Sequence, residues 1–115
     1  MEPVEKHVEG SLLLSCYGAL LTDAQRELME LYYNEDLSLQ EIADRQGISR
    51  QGVHDTLSRS LHKLESYEAR LGLIRRGEQR MKALTDCLAL ARQVPADISR
   101  LTAALERMIQ EEEQP

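Results

Sequence analysis

From Leu39 to Leu64 the apolar residues fall where two helices crossing at a tight turn need them. Ile42 and Ala43 face inward from a short first helix, and Ala43 is small enough for the next helix to come close. Gly47 takes the turn, where a left-handed backbone would cost any residue with a Cβ. Ile48 is expected to plug the corner and Ser49 to cap the following helix. Val53, Leu57, Leu61 and Leu64 then run down its buried side at spacings of four, four and three. This is the pattern of a helix-turn-helix.

Two capping boxes, a hydroxyl followed three residues later by Glu or Gln, mark further helix starts at Thr22 with Gln25 and at Ser38 with Glu41. They predict a helix from Asp23 to Tyr33, apolar through Leu28, Met29, Leu31, Tyr32 and Tyr33 and ended by Asn34, Glu35 and Asp36. A short helix from Leu39 to Gln46 follows, then a long one from Arg50 to about Leu71, stopped by Gly72. Upstream, a helix from about Val4 to Tyr17 is expected to carry Val8, Leu12, Cys16 and Leu20 on one apolar side, with Gly18 near its end.

The last third divides at Pro95. Met81, Leu84, Leu88 and Ala91 repeat at three, four, three, and Ile98, Leu101, Leu105 and Met108 do the same. That is the seam of a helical hairpin. Two short amphipathic helices with little else to cover them either fold back on the long helix or pair with a second copy, and the narrow seams favour a homodimer. The whole reads as one all-α domain, 1–115, with an N-terminal helix (1–21), a helix-turn-helix core (22–73) and a C-terminal hairpin (74–115) as oligomerisation element.

Composition narrows the function classes. Gly and Pro are sparse, and no alternating strand pattern occurs. The short apolar run Leu12 to Leu14 follows acidic Glu2, Glu5 and Glu9, unlike a secretory signal, and no run reaches transmembrane length. The expectation is a cytoplasmic protein without membrane insertion, in which Cys16 and Cys87 are buried thiols. The net charge of −6 is uneven: residues 1–44 carry 2 basic and 10 acidic side chains, residues 45–82 carry 9 and 4, and residues 83–115 carry 3 and 6. A basic middle between acidic ends permits nucleic-acid contact through one face only.

Leu20 to Leu73 resembles the YlxM family of small bacterial proteins, through its LLTDAQ start, the ELYYNEDLSLQEIA run and the GISRQGVHD turn with the helix after it. The genes of that family lie beside that of the signal recognition particle GTPase. The resemblance implies an accessory or regulatory protein of the particle's pathway, binding its GTPase, its RNA, or both. The same helix-turn-helix is more loosely similar to region 4 of bacterial sigma factors, which leaves a second reading, a dimeric transcription regulator binding double-stranded DNA.

Two groups of residues could make such contacts. Ser49, Arg50, Gln51, His54, Asp55, Ser58 and Arg59 lie at the start and outer side of the recognition helix, with Gln51, Asp55, Ser58 and His62 opposite its apolar stripe. In a DNA reader Gln51 could bond an adenine edge, Arg50 a guanine or a phosphate, and the amides after Ser49 a phosphate oxygen. Asp55 opposes this by aiming a carboxylate where DNA would lie, and it is placed to pair with Arg59 one turn on. The second group is the basic elbow Arg70, Arg75, Arg76, Arg80 and Lys82, five cations across thirteen positions with Glu78 the only acid among them. Such runs are more often solvated than functional. RNA held there would be gripped by shape and phosphate, because the chain has no Trp or Phe and only four Tyr to stack on bases.

Enzyme chemistry finds no support, and no cofactor is expected. His54 and His62 stand eight residues apart, too far to share a metal without a third element, and His7 has no ligand spacing. Ser58, His54 and Asp55 do not make a triad, since an adjacent Asp cannot orient the imidazole. There is no Gly-rich phosphate loop.

Overall fold

The computed structural model describes residues 3–93 and 95–114. Among these the chain forms α1 (Val4–Tyr17), a 3₁₀ turn (Gly18–Leu20), α2 (Asp23–Tyr33), α3 (Leu39–Gln46), α4 (Arg50–Leu71), α5 (Leu73–Arg92) and α6 (Ile98–Glu113), with no strand. The fold is an all-α helix-turn-helix. It divides into two units, Met1–Ile74 and Arg75–Pro115.

Local chemistry sets the helix ends. Thr22 and Ser38 each close a reciprocal capping box, with Gln25 and Glu41. The Ser38 amide and hydroxyl hold the Glu41 carboxyl below its usual range. Gly47 (φ 68°) and Gly72 (φ 62°) stop α3 and α4 in the left-handed conformation. Asp36 also adopts positive φ, 54°, and its carboxylate lies 3.2 Å from His7 Nε2.

The core of the first unit joins Leu13, Leu14, Tyr17, Leu21, Leu28, Met29, Leu31 and Tyr33 to Ile42, Ala43, Val53, Leu57 and Leu64. The stripe on α4 is buried as expected, with Leu61 partly covered. Ser60 is also fully buried, its hydroxyl donating to the Thr56 carbonyl at 2.7 Å. Ile48 does not plug the corner: it stands 44% exposed, and only its amide turns inward, to the Ala43 carbonyl. The expectation for α1 also needs correction. Val8, Leu12, Cys16 and Leu20 face outward, Cys16 as an exposed thiol, and Gly10, Leu13, Leu14 and Tyr17 are buried instead. α1 carries two apolar stripes, and the buried one combines an aromatic ring with a glycine that admits Tyr33 of α2.

Tyr17 ties α1 to the junction of α4 and α5. Its hydroxyl donates to Glu68 Oε1 at 2.6 Å and accepts the Leu73 amide at 3.1 Å, while the Ile74 amide donates to the same Glu68 oxygen at 3.0 Å. These bonds satisfy two of the amides that open every helix. Burial and the Glu68 hydrogen bond raise the Tyr17 phenol above 10.0, against the lowering effect of the Leu73 amide. A phenol with a raised folded value stabilises fully below pH 10 and loses that contribution as pH rises through the raised value. Tyr17→Phe should lower the melting temperature by a few degrees at pH 7. The gap between wild type and variant should close as melts are taken further above pH 10.

In the second unit α5 and α6 form the expected hairpin, but its seam is rotated. Cys87 is buried and its thiol meets Met108 Sδ at 3.9 Å. Leu101 and Met108 are partly covered, whereas Met81, Leu84, Leu88, Ala91, Ile98 and Leu105 are exposed. The residues read as one continuous dimer seam therefore divide between the inside of the hairpin and its surface. A 3-4-3 repeat defines a stripe, but the covered line of α5 runs beside it through Cys87, whose thiol meets Met108.

Candidate functional site

Ser49 caps α4 by accepting the Gly52 amide at 2.9 Å, and from that fixed start the next turns project Arg50, Gln51, His54, Asp55, Ser58 and Arg59 into solvent. All seven predicted residues of the recognition helix lie on an exposed surface. Leu39 at the start of α3 joins Arg50, Gln51 and His54 in lining one shallow depression. The turn at Gly47 sets both helix starts beside this surface.

Asp55 governs the electrostatics of the face. Its Oδ1 accepts Gln51 Nε2 at 2.9 Å and lies 3.5 Å from His54 Nδ1. The pairing of Asp55 with Arg59 allowed by the sequence is not formed: the carboxylate is engaged by groups on the preceding turn, and Arg50 and Arg59 make no ion pair among the described residues. The bond to Asp55 orients the Gln51 amide and takes one of its two Nε2 hydrogens, leaving the other and Oε1 for a partner. On α3, Gln40 donates to Asp44 at 2.9 Å, and Arg45 stands 4.0 Å from Glu35.

The basic elbow is exposed, yet its cations are not equivalent. Arg70 ends α4 in the first unit, and Arg75, Arg76, Arg80 and Lys82 lie on α5 in the second. Arg80 Nε is 2.7 Å from Glu112 of α6, and Lys82 is 3.9 Å from Asp86 one turn on. Glu78 is the only acid within the run from Arg70 to Lys82, but folding brings Glu112 to Arg80 from 32 residues away. No local signal could have found that pair, because it depends on the hairpin register. Among the described residues no group of three or more His, Cys, Asp or Glu could hold a metal ion, and no helix is long and apolar enough to cross a membrane.

Residues 4–103 match the model of the UPF0122 family, described as "YlxM / p13 like". The chain belongs to this family. A UPF0122 protein of Desulforamulus reducens is 48% identical over 80 residues, covering 70% of this chain and 68% of the relative. One from Thermoanaerobacter sp. strain X514 is 53% identical over 74 residues, 64% of this chain and 63% of its own length. In the UPF0122 protein of Geobacillus kaustophilus the match extends over 108 residues at 38% identity, 91% of this chain and 98% of the relative. The family match thus takes in the helix-turn-helix, all of α5 and the start of α6.

Proposed function

We propose that this UPF0122 protein is a non-enzymatic regulatory accessory of the signal recognition particle pathway, acting by binding the particle's GTPase, its RNA, or both. The observation that carries this reading is the Gln51–Asp55 bond. It fixes a carboxylate at the centre of the exposed side of α4, where a phosphate backbone would be repelled and a mixed-charge polypeptide surface would be accepted. The resemblance to YlxM, whose genes lie beside that of the particle GTPase, supports this choice of pathway. RNA would meet the cations of α5 rather than the α4 face.

A second reading, a DNA-binding regulator, is favoured by Arg50 and Arg59, which flank Asp55 on α4 without ion pairs of their own among the described residues. One experiment separates the two. The full chain is titrated at physiological salt against the purified particle GTPase, with and without its RNA, in the presence of fragmented genomic DNA. Saturable binding that excess DNA does not displace is expected, and Asp55→Lys should weaken it about tenfold, or about 1.4 kcal/mol. Recovery of one DNA fragment with no affinity for the particle, lost in Arg50→Ala with Gln51→Ala and strengthened by Asp55→Lys, would replace this reading with the second.

A further inference from the structure

The α5–α6 hairpin leaves far more apolar side chain outside than it encloses. Cys87 is its one buried apolar residue among the described residues, whereas Met81, Leu84, Leu88, Ile98, Leu105 and Ile109 are between 42% and 63% exposed. These six occupy one side. At roughly 100° per residue, Met81, Leu84 and Leu88 lie about 60° to 120° to one side of Cys87, which meets Met108 of α6. Ile98, Leu105 and Ile109 lie about a quarter-turn around α6 from Met108, which meets α5. Arg80 shares a surface depression with Leu105 and Ile109, which places the α5 and α6 stripes on the same face. The opposite face carries Gln79, Lys82, Asp86, Arg107 and Glu111 around the small residues Ala83 and Ala104 and the edge of Met108.

We propose that this face binds a second copy of the same chain, closing two hairpins into an antiparallel four-helix bundle in which each α5 lies against the partner's α6. Charge selects a second copy as occupant. α5 carries five basic and two acidic side chains, α6 two basic and four acidic, so the hairpin holds both halves of a complementary pair. Two ways of stacking identical hairpins face to face are compatible with a two-fold axis. An axis across the helices puts α5 on α5 and α6 on α6, opposing like charges. An axis along the helices puts α5 on the partner's α6 and opposes unlike charges; both axes leave neighbouring helices antiparallel and suit the helix dipoles equally, so side-chain charge alone selects this one. The contact of Arg80 with Glu112 already shows the pairing within one hairpin. With the Cys87–Met108 contact, it sets Leu88 at the height of Leu105.

Sedimentation equilibrium of the full chain at tens of micromolar should give the mass of two chains, and Leu84→Glu with Leu105→Glu should return one. A wild-type monomer would overturn the proposal and leave the face to a different partner. So would a dimer that survives the double substitution with its helix content intact. Arrangement is tested separately in a Cys16→Ser background. Leu88→Cys mixed with Leu105→Cys should form the mixed disulfide in preference to either symmetric one. Preferential Leu88→Cys self-linking would reject the pairing of α5 with the partner's α6.

Discussion

Ile42→Ala is expected to lower the unfolding free energy of the first unit by about 2–5 kcal/mol, while Ile48→Ala, six residues on, changes it by no more than about 0.5 kcal/mol. The two side chains are chemically identical and flank the same turn. Ile42 is 0% exposed and sits among Ala43, Val53, Leu57 and Leu64, so truncation leaves a cavity between α3 and α4. Ile48 is 44% exposed, and its contribution to the turn is the amide bonded to the Ala43 carbonyl, which alanine retains. Urea denaturation followed by tyrosine fluorescence measures the difference directly. All four tyrosines, Tyr17, Tyr32, Tyr33 and Tyr67, belong to the first unit, so the signal reports on it alone. Equal losses from the two substitutions would mean that Ile48 is covered in solution.

Gly10→Ala should cost about 1–3 kcal/mol, although helix propensity by itself favours alanine by about 1 kcal/mol. A Cβ at Gly10 would land within the ring of Tyr33. That ring cannot step aside cheaply, since it is buried, packs edge-on against Tyr32 at 4.8 Å and stacks obliquely on His7 at 4.9 Å. The crossing of α1 over α2 therefore requires the missing side chain. Gly77 in α5 is the control: nothing lies within 4 Å of its Cβ position, so Gly77→Ala should leave the tyrosine-detected transition in place. A Gly10→Ala protein as stable as wild type would show that α1 can shift on α2 without loss.

Face choice, which separates Ile42 from Ile48, also separates the legible from the illegible elsewhere. At the proposed site, the exposed positions of α4 from Arg50 to Arg59 could be read by counting from the apolar stripe, because Val53, Leu57 and Leu64 leave one direction for the core. The partner of Asp55 could not be read that way. Gln51 and Arg59 stand one turn away on either side, so helix spacing offers the carboxylate both, and it takes Gln51 together with His54.

The sequence by itself determined where α2, α3 and α4 begin and where α3 and α4 end. Capping hydroxyls at Thr22, Ser38 and Ser49 and left-handed glycines at Gly47 and Gly72 act through bonds spanning a few residues, and nothing distant can overrule them. Only the tertiary structure decided which stripe of α1 enters the core, that Cys16 and Ile48 remain outside, how the α5–α6 hairpin is rotated about its seam, and that Arg80 meets Glu112. Each of those outcomes depends on the volume and shape of a partner surface supplied by another part of the chain. Where a helix offers two apolar stripes, as α1 does, the one that fits closer to its neighbour is buried.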